Sequence, residues 1–128
     1  MSNENASIDP VELSQRLIRC PSVTPVEGGA LDELQGVLEK LGFKCKRLPF
    51  SDNGTPDVDN LYARIGTSGP NFCFAGHSDV VPPGQFSEWN GDPFSGIITD
   101  GKLYGRGSSD MKSAIASFVA AAQRYIDE

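Results

Sequence analysis

Two short stretches of this chain carry residue types that can do metal or hydrolytic chemistry. The first is Gly76-His77-Ser78-Asp79, directly after an apolar run. His77 is the only histidine in the chain, and neutral imidazole is the commonest metal ligand that a protein offers. A ligating histidine usually gives its other ring N–H to a carboxylate, which fixes the tautomer. Asp79, two residues on, can be that carboxylate if the chain curls there. The second stretch is Tyr104-Gly105-Arg106-Gly107-Ser108-Ser109-Asp110-Met111-Lys112. A loop with two glycines delivers Asp110 to the start of an apolar-striped segment. Each stretch alone also has a plain reading: His77 as an ordinary surface or core histidine, Asp110 as a helix N-cap. The N-cap reading has no use for Gly105 and Gly107.

Other chemistries are excluded by pattern. The second stretch does not complete a dinucleotide or phosphate-binding glycine motif. It contains no Gly-x-Ser-x-Gly, so it is not a nucleophile elbow. The three cysteines, Cys20, Cys45 and Cys73, are odd in number and form no Cys-x-x-Cys, against both a disulfide framework and a zinc ribbon. All three read as structural, and Cys73, between Phe72 and Phe74, reads as a core residue. Taken together, a histidine after a strand and an aspartate at a helix start are ligand types that bind zinc. A carboxylate can also bridge two metal ions roughly 3.5 to 4 Å apart, as two-metal hydrolases require.

The elements that must position these residues can be read from periodicity. Residues 1–8 read as a flexible arm. Asp9-Pro10-Val11-Glu12 is a helix start, with Asp9 as cap, Pro10 at the first helical position and Glu12 able to reach back. Val11, Leu17 and Ile18 share a face, and Pro21 limits the helix, so residues 20–25 form a turn. Leu31, Leu34, Leu38 and Leu41 predict a second amphipathic helix over 29–41, closed by Gly42. Residues 43–48 and 60–65 read as strands and 51–59 as a loop. The apolar run 71–75 reads as a strand buried on both faces. Residues 82–96 form a structured loop. The segment 96–104 is a hairpin turning at Asp100-Gly101. A last helix covers 111–126, striped by Met111, Ile115, Phe118, Val119, Ala122 and Ile126. This order predicts an α/β domain with helices packed on a sheet.

Composition sets the class. The 128 residues suit one domain with a modest core. Hydrophobic residues at 38% and charged residues at 22% fit a folded globular chain rather than a disordered one. No apolar run reaches the roughly 18 to 20 residues of a membrane span. The first ten residues lack the basic and apolar regions of a signal peptide, so a cytoplasmic location is expected. The net charge of −6 comes with scattered basic residues, so neither a nucleic-acid nor a membrane partner is expected.

Phe74 to Gly84 resembles the first metal motif of the two-zinc amidohydrolases and exopeptidases, the family of acetylornithine deacetylase and related carboxypeptidases. Tyr104 to Lys112 resembles their second motif, and Trp89, Pro93 and Phe94 match the pattern between them. Arg19 to Pro25 and Val80 to Gly84 resemble the desuccinylase branch in particular. The likeness runs from about Val11 to the end; Ser109 and Ser113 depart from it, where many relatives have small apolar residues or glycine.

The resemblance implies a partial zinc-exopeptidase-like catalytic domain, with a mixed sheet and flanking helices. It makes His77 a ligand of one zinc, Asp110 the bridge between two, and Asp79 the catalytic-site carboxylate that orients His77. Co²⁺ or Mn²⁺ can replace Zn²⁺ in such a site. It also implies that residues 1–128 are the N-terminal part of the catalytic domain. The general-base glutamate, the remaining ligands and a lid and dimerisation domain are expected beyond Glu128. The chain alone is then expected to be inactive and only marginally stable. The whole protein is expected to be a homodimer acting on a small molecule. Its expected reaction is hydrolysis of N-succinyl-LL-diaminopimelate to succinate and diaminopimelate, a step of lysine biosynthesis. Acetylornithine deacetylation, or a related aminoacylase activity, is the alternative in the same chemistry. A non-catalytic binding module is the alternative of another class.

Overall fold

Three helices and three two-stranded antiparallel ladders make up the fold, in a computed structural model that describes residues 6–128. The α/β class read from the sequence holds. Its β-structure comes as separate ladders plus one parallel bridge, Val23 to Val80. No helix among the described residues is long and apolar enough to cross a membrane.

Helix α1 spans Pro10–Ile18. Asp9 Oδ1 accepts the Val11 N–H at 2.8 Å, satisfying one of the donors that a helix start leaves free. The buried face is Leu13, Ser14, Leu17 and Ile18. Val11 lies off that face and is exposed, because the stripe centres on the Leu13–Leu17 spacing of four. Helix α2 is Ala30–Lys40 and buries Leu31, Leu34 and Leu38. Helix α3 is Ser113–Asp127 and buries Ile115, Ala116, Val119 and Ala120. Leu13 and Leu17 join Ala30, Leu34, Leu38, Ile115, Ala116 and Val119 in one core. Of the expected N-terminal arm, residues 1–5 lie outside the described residues. Further on, Gln123 holds the chain: its Oε1 accepts from Ile8 N–H at 2.6 Å and its Nε2 donates to the Ala6 carbonyl at 3.1 Å.

Strands β1 (Lys44–Arg47) and β4 (Leu61–Arg64) pair with Cys45 opposite Ala63. Cys45, Leu61 and Ala63 pack against the core, so alternate residues of each strand face inward. Arg47 ties this ladder to α2, donating to Gln35, Asp32 and Asp59. The expected loop 51–59 instead contains a hairpin, β2 (Phe50–Asp52) and β3 (Thr55–Val58). It is exposed along its whole length, so no apolar alternation marks it. Strands β5 (Ile97–Thr99) and β6 (Lys102–Tyr104) form the expected hairpin. Asp100 and Gly101 both have positive φ, 51° and 73°, as a type I′ turn requires.

The run 71–75 is not a strand. Phe72 and Phe74 stack on Phe118 of α3, with ring centroids 6.4 and 4.5 Å away, and Phe72 remains 87% exposed. Cys73, between them, is exposed rather than in the core. An unbroken apolar run has no period, so it does not distinguish a ladder from anchoring by aromatic side chains.

A costly feature of the interior is Lys112, which has no exposed surface. Its Nζ donates to the Cys20 carbonyl at 2.8 Å. Burial pushes its ammonium down from 10.5 to about 8, because charge is disfavoured away from water. The unfolded chain therefore holds a proton that the folded chain has lost between about pH 8 and 10.5, and stability rises with pH across that window. The gain is on the order of 3 kcal/mol at most. Urea unfolding of the wild type minus that of Lys112→Met, followed across this window, is expected to slope upward. A flat difference would show that Lys112 is not desolvated in solution.

Candidate metal centre

His77 lies in a segment without regular secondary structure, three residues past Phe74, which stacks on Phe118, and three contacts set its place. Its backbone N–H donates to Met111 Sδ at 3.4 Å. Its Nδ1 lies 3.0 Å from the Asp79 carbonyl oxygen, and its Nε2 lies 2.9 Å from Asp110 Oδ1. Nδ1–H donating to the Asp79 carbonyl leaves Nε2 as the nitrogen facing Asp110. Asp79 thus holds the ring chiefly through its backbone; its carboxylate is farther, at 3.4 Å.

Asp110 reaches this point through an unusual start to the last helix. Residues Ser108–Lys112 form a wide turn in which Asp110 and Met111 leave helical geometry, at φ/ψ of −134°/91° and −141°/33°. The regular helix begins only at Ser113. Asp110 therefore does not act as the N-cap, and its side chain makes no capping bond. Its carboxylate is turned outward, 84% exposed, with His77 as its neighbour.

The two glycines now have a physical use. A Cβ on Gly105 would stand 2.5 Å from Ile18 Cγ2 and 3.2 Å from the Pro93 carbonyl oxygen. On Gly107, which has φ of +87°, it would stand 2.6 Å from Val80 Cγ1 and 3.2 Å from Lys112 Cδ. The Asp110 loop can lie against α1 and the His77 loop only because both positions lack side chains. Arg106 adds a tether: its N–H donates to the Pro93 carbonyl at 2.7 Å, and its guanidinium sits 5.2 Å over the Trp89 ring. Trp89 Nε1 donates to the Pro83 carbonyl at 2.9 Å. A cleft of about 250 Å³ opens beside the pair, lined by His77, Asp79, Val81, Arg106 and Asp110 among others.

The structure thus brings all three residues singled out in the sequence, His77, Asp79 and Asp110, to one cleft. It also adds residues that sequence reasoning passed over: Met111, read only as part of a stripe, and Ser22 and Lys112, both fully buried. A lysine and a serine carry no signal of burial in a single sequence. As a donor set, one imidazole nitrogen and one carboxylate at 2.9 Å fit zinc in type. They fall short of it in number, since no cluster of three or more such groups exists among the described residues.

Both ring nitrogens of His77 face oxygen acceptors. The Asp79 carbonyl and the Asp110 carboxylate accordingly raise its pKa above 6.5, against a smaller opposing effect of partial burial. In ¹⁵N spectra of the metal-free chain, His77 is expected to titrate above that ordinary value, and Asp110→Asn to lower its pKa. No change in the variant would mean that the two side chains do not meet in solution.

Residues 73–128 match the sequence profile of Peptidase family M20/M25/M40. The chain is 63% identical over 127 residues to a succinyl-diaminopimelate desuccinylase of Parvibaculum lavamentivorans, covering 99% of this chain and 32% of that protein. It is 60% identical over 119 residues to one of Rhodospirillum centenum, covering 93% and 31%. The chain therefore spans about a third of the length of the curated relatives it matches. Its fold is similar to that of human carnosine dipeptidase 1, with a TM-score of 0.75 and 25% identity over 93% of this chain and 29% of that one.

Proposed function

We infer, from a chain whose residues 73–128 carry the sequence of Peptidase family M20/M25/M40, that it is the N-terminal part of the catalytic domain of a zinc-dependent desuccinylase. The observation that carries this reading is the approach of His77 Nε2 to Asp110 Oδ1 across two loops 33 residues apart. The reaction proposed for the whole protein is hydrolysis of N-succinyl-LL-diaminopimelate to succinate and LL-diaminopimelate. Its support is the 63% and 60% identity to two desuccinylases over nearly all of this chain. Three free cysteines suit a reducing, cytoplasmic setting.

His77 is proposed to hold one zinc through Nε2. The Asp79 carbonyl, by accepting a hydrogen bond from Nδ1–H, fixes the tautomer and turns Nε2 toward Asp110. Asp110, with its carboxylate largely exposed, is the proposed bridge to a second ion. Zinc held there supplies an acidic bound water near neutral pH and polarises the scissile carbonyl. The chain itself contributes ligand orientation and a fixed spacing, and the general base is proposed to come from outside residues 1–128.

This division of labour can be tested with a chimera joining residues 1–128 to the remaining length of the Parvibaculum desuccinylase. The chimera is expected to release succinate from N-succinyl-LL-diaminopimelate in the presence of zinc, whereas the 128-residue chain alone is not. His77→Ala or Asp110→Ala in the chimera is expected to lower kcat/KM by more than the roughly 10- to 100-fold that losing an outer hydrogen-bond partner costs. An active chimera indifferent to both substitutions would refute the assigned roles.

A further inference from the structure

The His77 and Asp110 loops are far apart in sequence, and the turn at residues 20–24 touches both. Ser22, fully buried, donates its hydroxyl to the Ser78 carbonyl at 2.6 Å, one residue from His77. Its own carbonyl accepts from Val80 N–H at 2.9 Å, and the Val80 carbonyl accepts from Thr24 N–H at 3.1 Å. The His77 loop is thus clamped on either side of Asp79. On the other side of the same turn, the Cys20 carbonyl accepts from Lys112 Nζ at 2.8 Å, and Lys112 is two residues past Asp110. Lys112 in turn is fixed by its N–H, which donates to the Gly107 carbonyl at 2.9 Å.

We propose that the Cys20–Thr24 turn is a strut that sets the spacing between the two metal-binding loops, with Ser22 as its positioning residue. This rests on His77 and Asp110 being metal ligands. Ser22 touches neither the ion nor the substrate; it acts through the Ser78 carbonyl. The bond is short and part-buried, and no other described side chain contacts that carbonyl through a hydrogen bond. Removing the hydroxyl leaves the Ser78 carbonyl without its partner and frees the peptide between the ligand and the residue that orients it.

The strut is tested with the chain's single histidine as the probe. Co²⁺ is titrated into ¹⁵N-histidine-labelled wild type, Ser22→Ala, Ser22→Thr and Leu38→Ala, at a temperature where all are folded. Leu38 lies in the core on α2 and serves as a destabilised control remote from the strut. Ser22→Ala is expected to weaken Co²⁺ binding by about tenfold or more, with Ser22→Thr restoring most of it and Leu38→Ala leaving it unchanged. Equal affinity in Ser22→Ala and wild type overturns the strut, as does an equal loss in Leu38→Ala. A wild type that binds no Co²⁺ at His77 shows that the two ligands of this chain are too few to hold the ion alone. In that event the strut is decided by the metal-free spectra: Ser22→Ala must move the His77 ring resonances and Leu38→Ala must not.

Discussion

The contact of His77 Nε2 with Asp110 Oδ1, at 2.9 Å, requires two loops to converge on a point that neither reaches by regular secondary structure. Asp110 lies in a non-helical step ahead of α3, and His77 lies in a segment without regular secondary structure and with no ladder to hold it. A pair of exposed polar side chains contributes little on its own account. Its geometry must therefore be imposed by the groups beneath it. Those groups are the turn at 20–24, the buried Lys112 and the two glycines that let the loops lie against Ile18 and Val80.

The core explains why such a support is stable. Helices α1 and α3 pack through small and branched side chains, among them Ala116, Val119, Leu13 and Leu17. This fixes the start of α3 relative to the end of α1. Since α1 leads directly into Cys20 and Ser22, while α3 begins just past Lys112, the helix pair and the strut are one mechanical unit. The buried ammonium of Lys112 works against stability at neutral pH. Its hydrogen bond at the base of the site accounts for its tolerance there, since an apolar residue in its place would remove the tie from the Asp110 loop to the Cys20 carbonyl.

Much of this was legible from residue patterns. The Asp9-Pro10 start of α1, the leucine spacing of α2 and the Asp100-Gly101 turn follow from local rules, and the structure follows them. His77 and Asp110, singled out in the sequence as ligand types, also stand 2.9 Å apart in the structure, and the close approach behind Gly105 and Gly107 emerges only there. The failures share a cause. Phe72 to Phe74, Cys73 and Val11 were misplaced because apolar character does not say what a side chain will meet. The β2–β3 hairpin was missed because an exposed ladder needs no apolar alternation. The Asp79 carbonyl lies nearer His77 Nδ1 than its carboxylate does, at 3.0 against 3.4 Å, a backbone contact that no side-chain pattern records. Ser22 and Lys112 act by burial, which depends on segments about 56 and 92 residues away in the chain.

A zinc titration followed in the ¹⁵N spectrum of His77 tests most directly whether the two loops meet around an ion. If they do, zinc shifts Nε2 while Nδ1 remains protonated against the Asp79 carbonyl, and Asp110→Ala abolishes or greatly weakens the response. A shift at Nδ1 instead, or an Nε2 response that is the same without the Asp110 carboxylate, would contradict the shared site.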